Sequence, residues 1–162
     1  TTPEFLSVLS DLDKATEPWG AGTPAGQLSA YSTFRLEDLN NPETMTVYLC
    51  VDEEKLMTYR RWLRVMTGCT LAAIMRSKRT QRPKHKVMLL YDEARALGRL
   101  EPLVNAVGYL RTYCTPVIIW QNLPQARAVY GDQAGEFLAN ATCRVFFGTN
   151  DNETAKEASI MC

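Results

Sequence analysis

Apolar and polar positions along the chain alternate between two regimes: short solid apolar runs and longer stretches with helical spacing. Four runs read as strands: Thr44–Val51, Val87–Tyr91, Pro116–Gln121 and Cys143–Gly148. Unbroken apolar runs of this length, rich in Val, Ile, Tyr and Phe, are typical of strands buried on both faces of a parallel sheet. Between them lie helical patterns. Thr1-Thr2-Pro3-Glu4 starts a first helix with Phe5, Leu6, Leu9 and Leu12, fading near Glu17-Pro18. Residues 19–33, rich in Gly, Pro and Ser, read as loop, and Phe34–Asn41 as a polar lead-in. Lys55 to about Ser77 reads as a long helix with Leu56, Tyr59, Leu63, Met66, Leu71, Ile74 and Met75 on one side and Arg60, Arg61 and Arg64 on another. Further helices are expected from Glu101 to about Tyr113, up to Tyr130-Gly131 after a turn at Asn122–Gln125, over Gln133–Leu138, and over Glu153–Met161. Strands alternating with helices predict a parallel α/β sheet.

The strand ends are polar. Val87–Tyr91 stops abruptly at Asp92-Glu93, and Asp52, Gln121 and Asn150 follow the other three runs. The carboxyl edge of a parallel sheet is where ligands bind. Two adjacent acids there repel each other and resist desolvation, and a cation or a reacting water relieves that conflict. The pattern is that of a Walker-B strand, with Asp92 holding Mg²⁺ through its water shell and Glu93 polarising the attacking water. Alone, the pair reads equally well as a solvated turn; the convergence of five polar residues on one edge favours the site. No Gly-Lys-Ser or Gly-Lys-Thr occurs in the chain, so the glycines of residues 19–33 are not a phosphate loop.

Composition narrows the picture a little. Eighteen basic and eighteen acidic residues cancel, which excludes a global pull toward nucleic acid or anionic membrane. The strongest local charge cluster, Arg76–Lys86, lacks the interleaved aromatics of a base-stacking platform and reads as a solvated helix end with a linker. His85, the one histidine, lies among these cations and is no ligand or base. No run approaches the ~18 apolar residues of a membrane span. Five scattered cysteines form no Cys-x-x-Cys pair, and Cys50, Cys114 and Cys143 read as small buried hydrophobes. A start at Thr1 and a stop at Cys162 within helical patterns suggest part of a larger protein.

The run Leu90-Tyr91-Asp92-Glu93-Ala94-Arg95-Ala96-Leu97-Gly98-Arg99-Leu100-Glu101 resembles the Walker B region of the type IV secretion coupling proteins, the TraG/TraD-like ATPases. Tyr109–Tyr113, Trp120–Gln125, Ala128–Gly131, Ala139–Arg144 and Phe147–Ala155 resemble later motifs of that family in the same order. The resemblance is dense over residues 87–162, weaker over 44–86 and thin before that. It implies a RecA-like P-loop NTPase fold, a three-layer α/β/α sandwich of which residues 34–162 are the C-terminal part. Residues 1–33, a helix plus a Gly/Pro-rich linker, would include the tail of an inserted helical domain, and the Walker A portion is absent. It further implies ATP and Mg²⁺ as cofactors, with Asp92 on the magnesium side and Glu93 activating water. Arg111 would be an arginine finger acting on a neighbouring subunit's nucleotide, and Gln121 and Gln125 would sense the γ-phosphate or couple hydrolysis to movement. The implied whole protein is a homo-hexamer anchored upstream at the cytoplasmic face of the bacterial inner membrane. It would drive DNA–relaxase complexes or protein substrates into a type IV secretion channel. The alternatives are a RecA-like DNA pump of the HerA/FtsK kind, which would lack the motifs from Tyr109 to Ala155, and a non-hydrolysing module that only binds partners.

Overall fold

The computed structural model describes residues 2–41, 45–77, 85–104 and 111–161. Helix α1 (Pro3–Thr16) runs into a 3₁₀ turn at Glu17–Trp19. Its Phe5, Leu6, Leu9 and Leu12 all stay exposed. Residues 19–33 are not all loop: Pro24–Ser29 forms α2, because Thr23 accepts a hydrogen bond from the Gly26 amide at 3.0 Å and Pro24 fills the first helical position. A hydroxyl cap followed by proline outweighs the local glycines.

Helix α3 (Leu56–Ser77) is the spine of the molecule. It packs against a short helix at Ala94–Leu97 and against a 3₁₀ turn at Leu36–Asn40. Leu71 and Ile74 from α3, Leu100 and Leu103, and Tyr113 and Cys114 form the main core. A buried aliphatic side chain of this kind stabilises the fold by about 1.5–3 kcal/mol. Burial pushes the Cys114 thiol up to about 11, so it behaves as a hydrophobe. Cys50 and Cys143 are exposed, contrary to expectation.

The sheet among the described residues is smaller than the four strands predicted. It has two parallel strands, β1 (Val87–Tyr91) and β2 (Cys114–Ile118), in the register Val87↔Cys114 to Tyr91↔Ile118. The ladder runs on past both ends, through Val87 N–H to Tyr113 O at 3.3 Å and Ile119 N–H to Tyr91 O at 3.0 Å. Residues 45–51 and 143–148 keep their apolar character but pair with no strand; Thr44 lies outside the described residues. A strand exists only where a neighbour takes up its backbone hydrogen bonds, and neither run has one among the described residues. The structure is therefore α/β with a small two-stranded parallel sheet, which is compatible with a part of the three-layer arrangement expected but does not itself form its three layers. β1 is also not buried on both faces. Val87, Leu89 and Tyr91 face the core, whereas Met88 and Leu90 are 66% and 57% exposed. The parallel sheets of α/β domains are covered on both sides, and here only one side is.

After β1 comes the one-turn helix α4 (Ala94–Leu97) and a helical turn at 101–104. Val107 and Leu110, expected on the face of the helix leading to Tyr113, lie outside the described residues. After β2, helix α5 (Leu123–Tyr130) starts where a turn was expected, because the Asn122 side chain accepts from the Gln125 amide at 2.9 Å. A 3₁₀ turn (Gly131–Gln133), α6 (Ala134–Asn140) and α7 (Asn152–Met161) complete the chain. Val104, Ala126, Tyr130 and Ala134 form a second core, with Tyr130 against Trp120 and Phe137.

Candidate functional site

The site is assembled at the carboxyl edge of β1 and β2. Because Tyr91 is in register with Ile118, and the Ala94 amide donates to Ile119 O at 3.4 Å, the Asp92-Glu93 turn lies beside Ile119-Trp120-Gln121. Both carboxylates are exposed, and neither has a hydrogen-bond or ion-pair partner among the described residues. Glu93 occupies the position immediately before α4, so the start of that helical turn sets where its side chain departs.

Gln121 follows β2 at the same edge. Gln125, one turn into α5, donates from Nε2 to Gln121 Oε1 at 2.7 Å. The pairing leaves the Gln121 amide nitrogen as an exposed donor at the edge, and Gln125 Oε1 buried without a partner among the described residues. The two glutamines expected to act together are therefore in contact. Behind them, Thr154 from α7 ties this turn to the rest of the molecule: its Oγ1 accepts from the Leu123 amide at 3.0 Å and donates to Asp151 Oδ2 at 2.7 Å. That hydroxyl, with the Thr154 amide, holds the Asp151 carboxyl below its usual range. Thr154 was not singled out from sequence; the Asp-x-x-Thr spacing at a helix start was the available signal.

A cleft of about 810 Å³ opens along the unpaired edge of β1, with residues 45–52 as its far wall and Leu63 and Met66 of α3 as its floor. Its lining is mainly apolar; its acidic groups are Asp52, Asp92 and Glu93, and His85 and Lys86 line it at the amino end of β1. Asp52 is already paired with Lys55 at 3.4 Å. Asn150, the fifth residue of the expected edge, follows a run that joins no sheet here and is not brought to it by strand pairing.

Arg111 lies elsewhere. It is exposed in the turn before β2, at the amino end of the sheet. Five residues of parallel strand separate it from the acids by about 17 Å, which rules out action on a ligand held at this chain's own carboxyl edge.

The donor set bears on Mg²⁺ and ATP. Among the described residues no cluster of three or more His, Cys, Asp or Glu could enclose a metal ion. Mg²⁺ accompanying a nucleotide needs no such cage; it keeps several waters and takes one or two carboxylates plus phosphate oxygens. Asp92 and Glu93, unpaired and solvent-facing, fit that demand. The phosphate cradle does not come from these residues. The isolated 162-residue chain is accordingly expected to bind nucleotide poorly. In a fluorescent-nucleotide titration it should show no saturation at micromolar concentration, and micromolar affinity would refute this.

No helix among the described residues is long and apolar enough to cross a membrane. The whole chain, residues 1–162, matches the family described as type IV secretory system, conjugative DNA transfer. It is 31% identical over 125 residues to the protein VirD4 of Agrobacterium fabrum, covering 76% of this chain and 19% of that protein. The VirD4 proteins of Rhizobium rhizogenes and Rhizobium radiobacter are 32% and 30% identical, over 76% of this chain and 18% of each. The chain thus spans about a fifth of the length of these relatives. No solved structure matches it.

Proposed function

The chain belongs to the type IV secretory system conjugative DNA-transfer family, and from that premise we propose that it is the hydrolytic half of a coupling-protein ATPase. One observation carries the reading: the β1–β2 register sets an unpaired Asp92-Glu93 beside a hydrogen-bonded Gln121–Gln125 pair on one sheet edge. Asp92 would hold Mg²⁺ through water, Glu93 would draw a proton from the attacking water, and Gln121 would present its amide to the γ-phosphate. When bound, ATP and Mg²⁺ supply the energy of phosphoryl transfer and the neutralising charge. The phosphate-binding loop would come from the remainder of a longer polypeptide, whose RecA-like fold would supply the missing strands. That whole protein would be a hexamer at the inner membrane, receiving DNA or protein substrates for a type IV secretion channel.

The ordered motifs from Tyr109 to Ala155 and the match over the full chain favour this over another kind of DNA pump. The test is Asp92→Ala in the complete protein. ATP turnover and substrate transfer between cells should be lost together, with the protein still produced and membrane-associated. Survival of both would remove this strand from the nucleotide site. Absence of ATP turnover in the unaltered complete protein, with substrate transfer intact, would support a non-hydrolysing partner module instead.

A further inference from the structure

The loop that follows the acid pair is held by side chains of α3 and α5 that have no place in the chemistry above. Residues 93–98 form a single turn: Ala96 N–H donates to Glu93 O and Gly98 N–H to Arg95 O, each at 3.0 Å. So short a helix has no cooperative stability of its own. Its carboxyl end is fastened by α3. Arg64 Nη1 donates to Leu97 O at 2.9 Å and also to Arg99 O. Between those carbonyls, Gly98 takes φ of 61°, which favours glycine. The Arg60 guanidinium lies against Gly98 where a Cβ would be.

The buried Tyr130 hydroxyl adds a second hold: it donates to Gly98 O and accepts from Leu100 N–H, both at 3.4 Å. Arg99 reaches Tyr130 O at 3.4 Å and also Gln133 and Glu101. One loop thus joins α3, the turn that launches Glu93, and the far end of α5, whose near end carries Gln125.

We propose that Arg64 is a positioning residue for Glu93: by pinning Leu97 O and Arg99 O it fixes the turn from which the Glu93 carboxylate projects. This rests on the reading of Glu93 given above. Glu93 itself is exposed and has no hydrogen-bond or ion-pair partner among the described residues, so its aim depends on the backbone beneath it. Both bonds come from the one Nη1, whose two N–H groups are held in fixed directions by the planar guanidinium, whereas the lysine ammonium is a compact point charge on a flexible stem. A displacement of about 1 Å at a catalytic group costs up to about 100-fold in rate.

The experiment compares Arg64→Met, Arg64→Lys and Glu93→Gln, and the Arg64→Met/Glu93→Gln double variant, in the complete protein. Arg64→Met should lower kcat by about 10- to 100-fold, with the KM for ATP and the melting temperature close to wild type. Arg64→Lys should recover part of the loss. Amide exchange at Ala96 and Gly98 should quicken in Arg64→Met. Adding Arg64→Met to Glu93→Gln should cause no further loss, since the group being aimed has already been disabled. Wild-type kcat in Arg64→Met, or a fall that tracks a lower melting temperature and is not rescued by lysine, overturns the proposal while leaving the acid pair in place. Wild-type kcat in Glu93→Gln overturns the reading of the acid pair and the aiming role with it.

Discussion

In the complete protein, Glu93→Gln should lower ATP turnover by about 10²–10⁴-fold while leaving nucleotide binding near wild type. A side chain that takes up a proton in the transition state contributes a factor of that order, or about 3–5 kcal/mol of barrier. Glutamine keeps the size and the capacity to hydrogen-bond, but it cannot accept the proton. It also removes one negative charge from beside the bound phosphates, so binding has no electrostatic reason to weaken. Glu93 is exposed and has no hydrogen-bond or ion-pair partner among the described residues, so the change removes no such fold-stabilising interaction there. Any fall in turnover then reports on chemistry. The check pairs a phosphate-release assay with equilibrium nucleotide binding on the same preparation. Equal turnover in variant and wild type would assign the attacking water to another residue.

Arg111→Ala should be as damaging, by about 10³–10⁵-fold if it is a finger of the kind known in nucleotidases. The geometry adds a stricter expectation. Arg111 lies at the amino end of β2, the acids at the carboxyl end of β1, and the two strands are parallel, so one chain cannot bring them to one phosphate. In a ring built from head-to-tail contacts, each subunit offers one edge to the neighbour on either side. Mixing Arg111→Ala subunits with Asp92→Ala subunits, both inactive alone, should then restore hydrolysis. At equal proportions and random order, roughly a quarter of the sites combine an intact acid pair with an intact arginine in such a ring. Turnover measured across mixing ratios should peak near equality. A flat, inactive profile would leave Arg111 as a local structural residue.

Much of this site was legible in the chain because its signals are local. The apolar run ending in Asp92-Glu93 specifies a strand and its edge within seven residues; the next strand was expected over Pro116–Gln121 but runs from Cys114 to Ile118, so that Gln121 follows it by three residues. The long helix was legible from its period, and its buried Leu63, Leu71 and Ile74 are among the residues that marked the stripe. What was not legible depends on partners distant in sequence. Residues 45–51 and 143–148 have the composition of strands, but composition does not supply the neighbour that makes a strand. Met88 and Leu90 looked like core for the same reason: an apolar residue is buried only if something covers it. Arg60 and Arg64 read as the basic side of a helix, whereas the carbonyls of Leu97 and Arg99 that Arg64 meets lie more than thirty residues away. α2 was missed for a simpler reason, since the glycines around it masked a hydroxyl cap and a proline placed for a helix start.

The central claim is that Asp92 marks the metal side of a nucleotide site, and Mn²⁺ can report on it directly. Mn²⁺ substitutes for Mg²⁺ beside a nucleotide, and its bound and free forms are distinguished by electron paramagnetic resonance. In the complete protein with ATP, Glu93→Gln should hold Mn²⁺ in a tight, nucleotide-dependent manner. Asp92→Ala should weaken that binding by about tenfold or more, equivalent to about 1.4 kcal/mol or more. Nucleotide-dependent Mn²⁺ affinity in Asp92→Ala equal to that of the wild-type protein would contradict the claim.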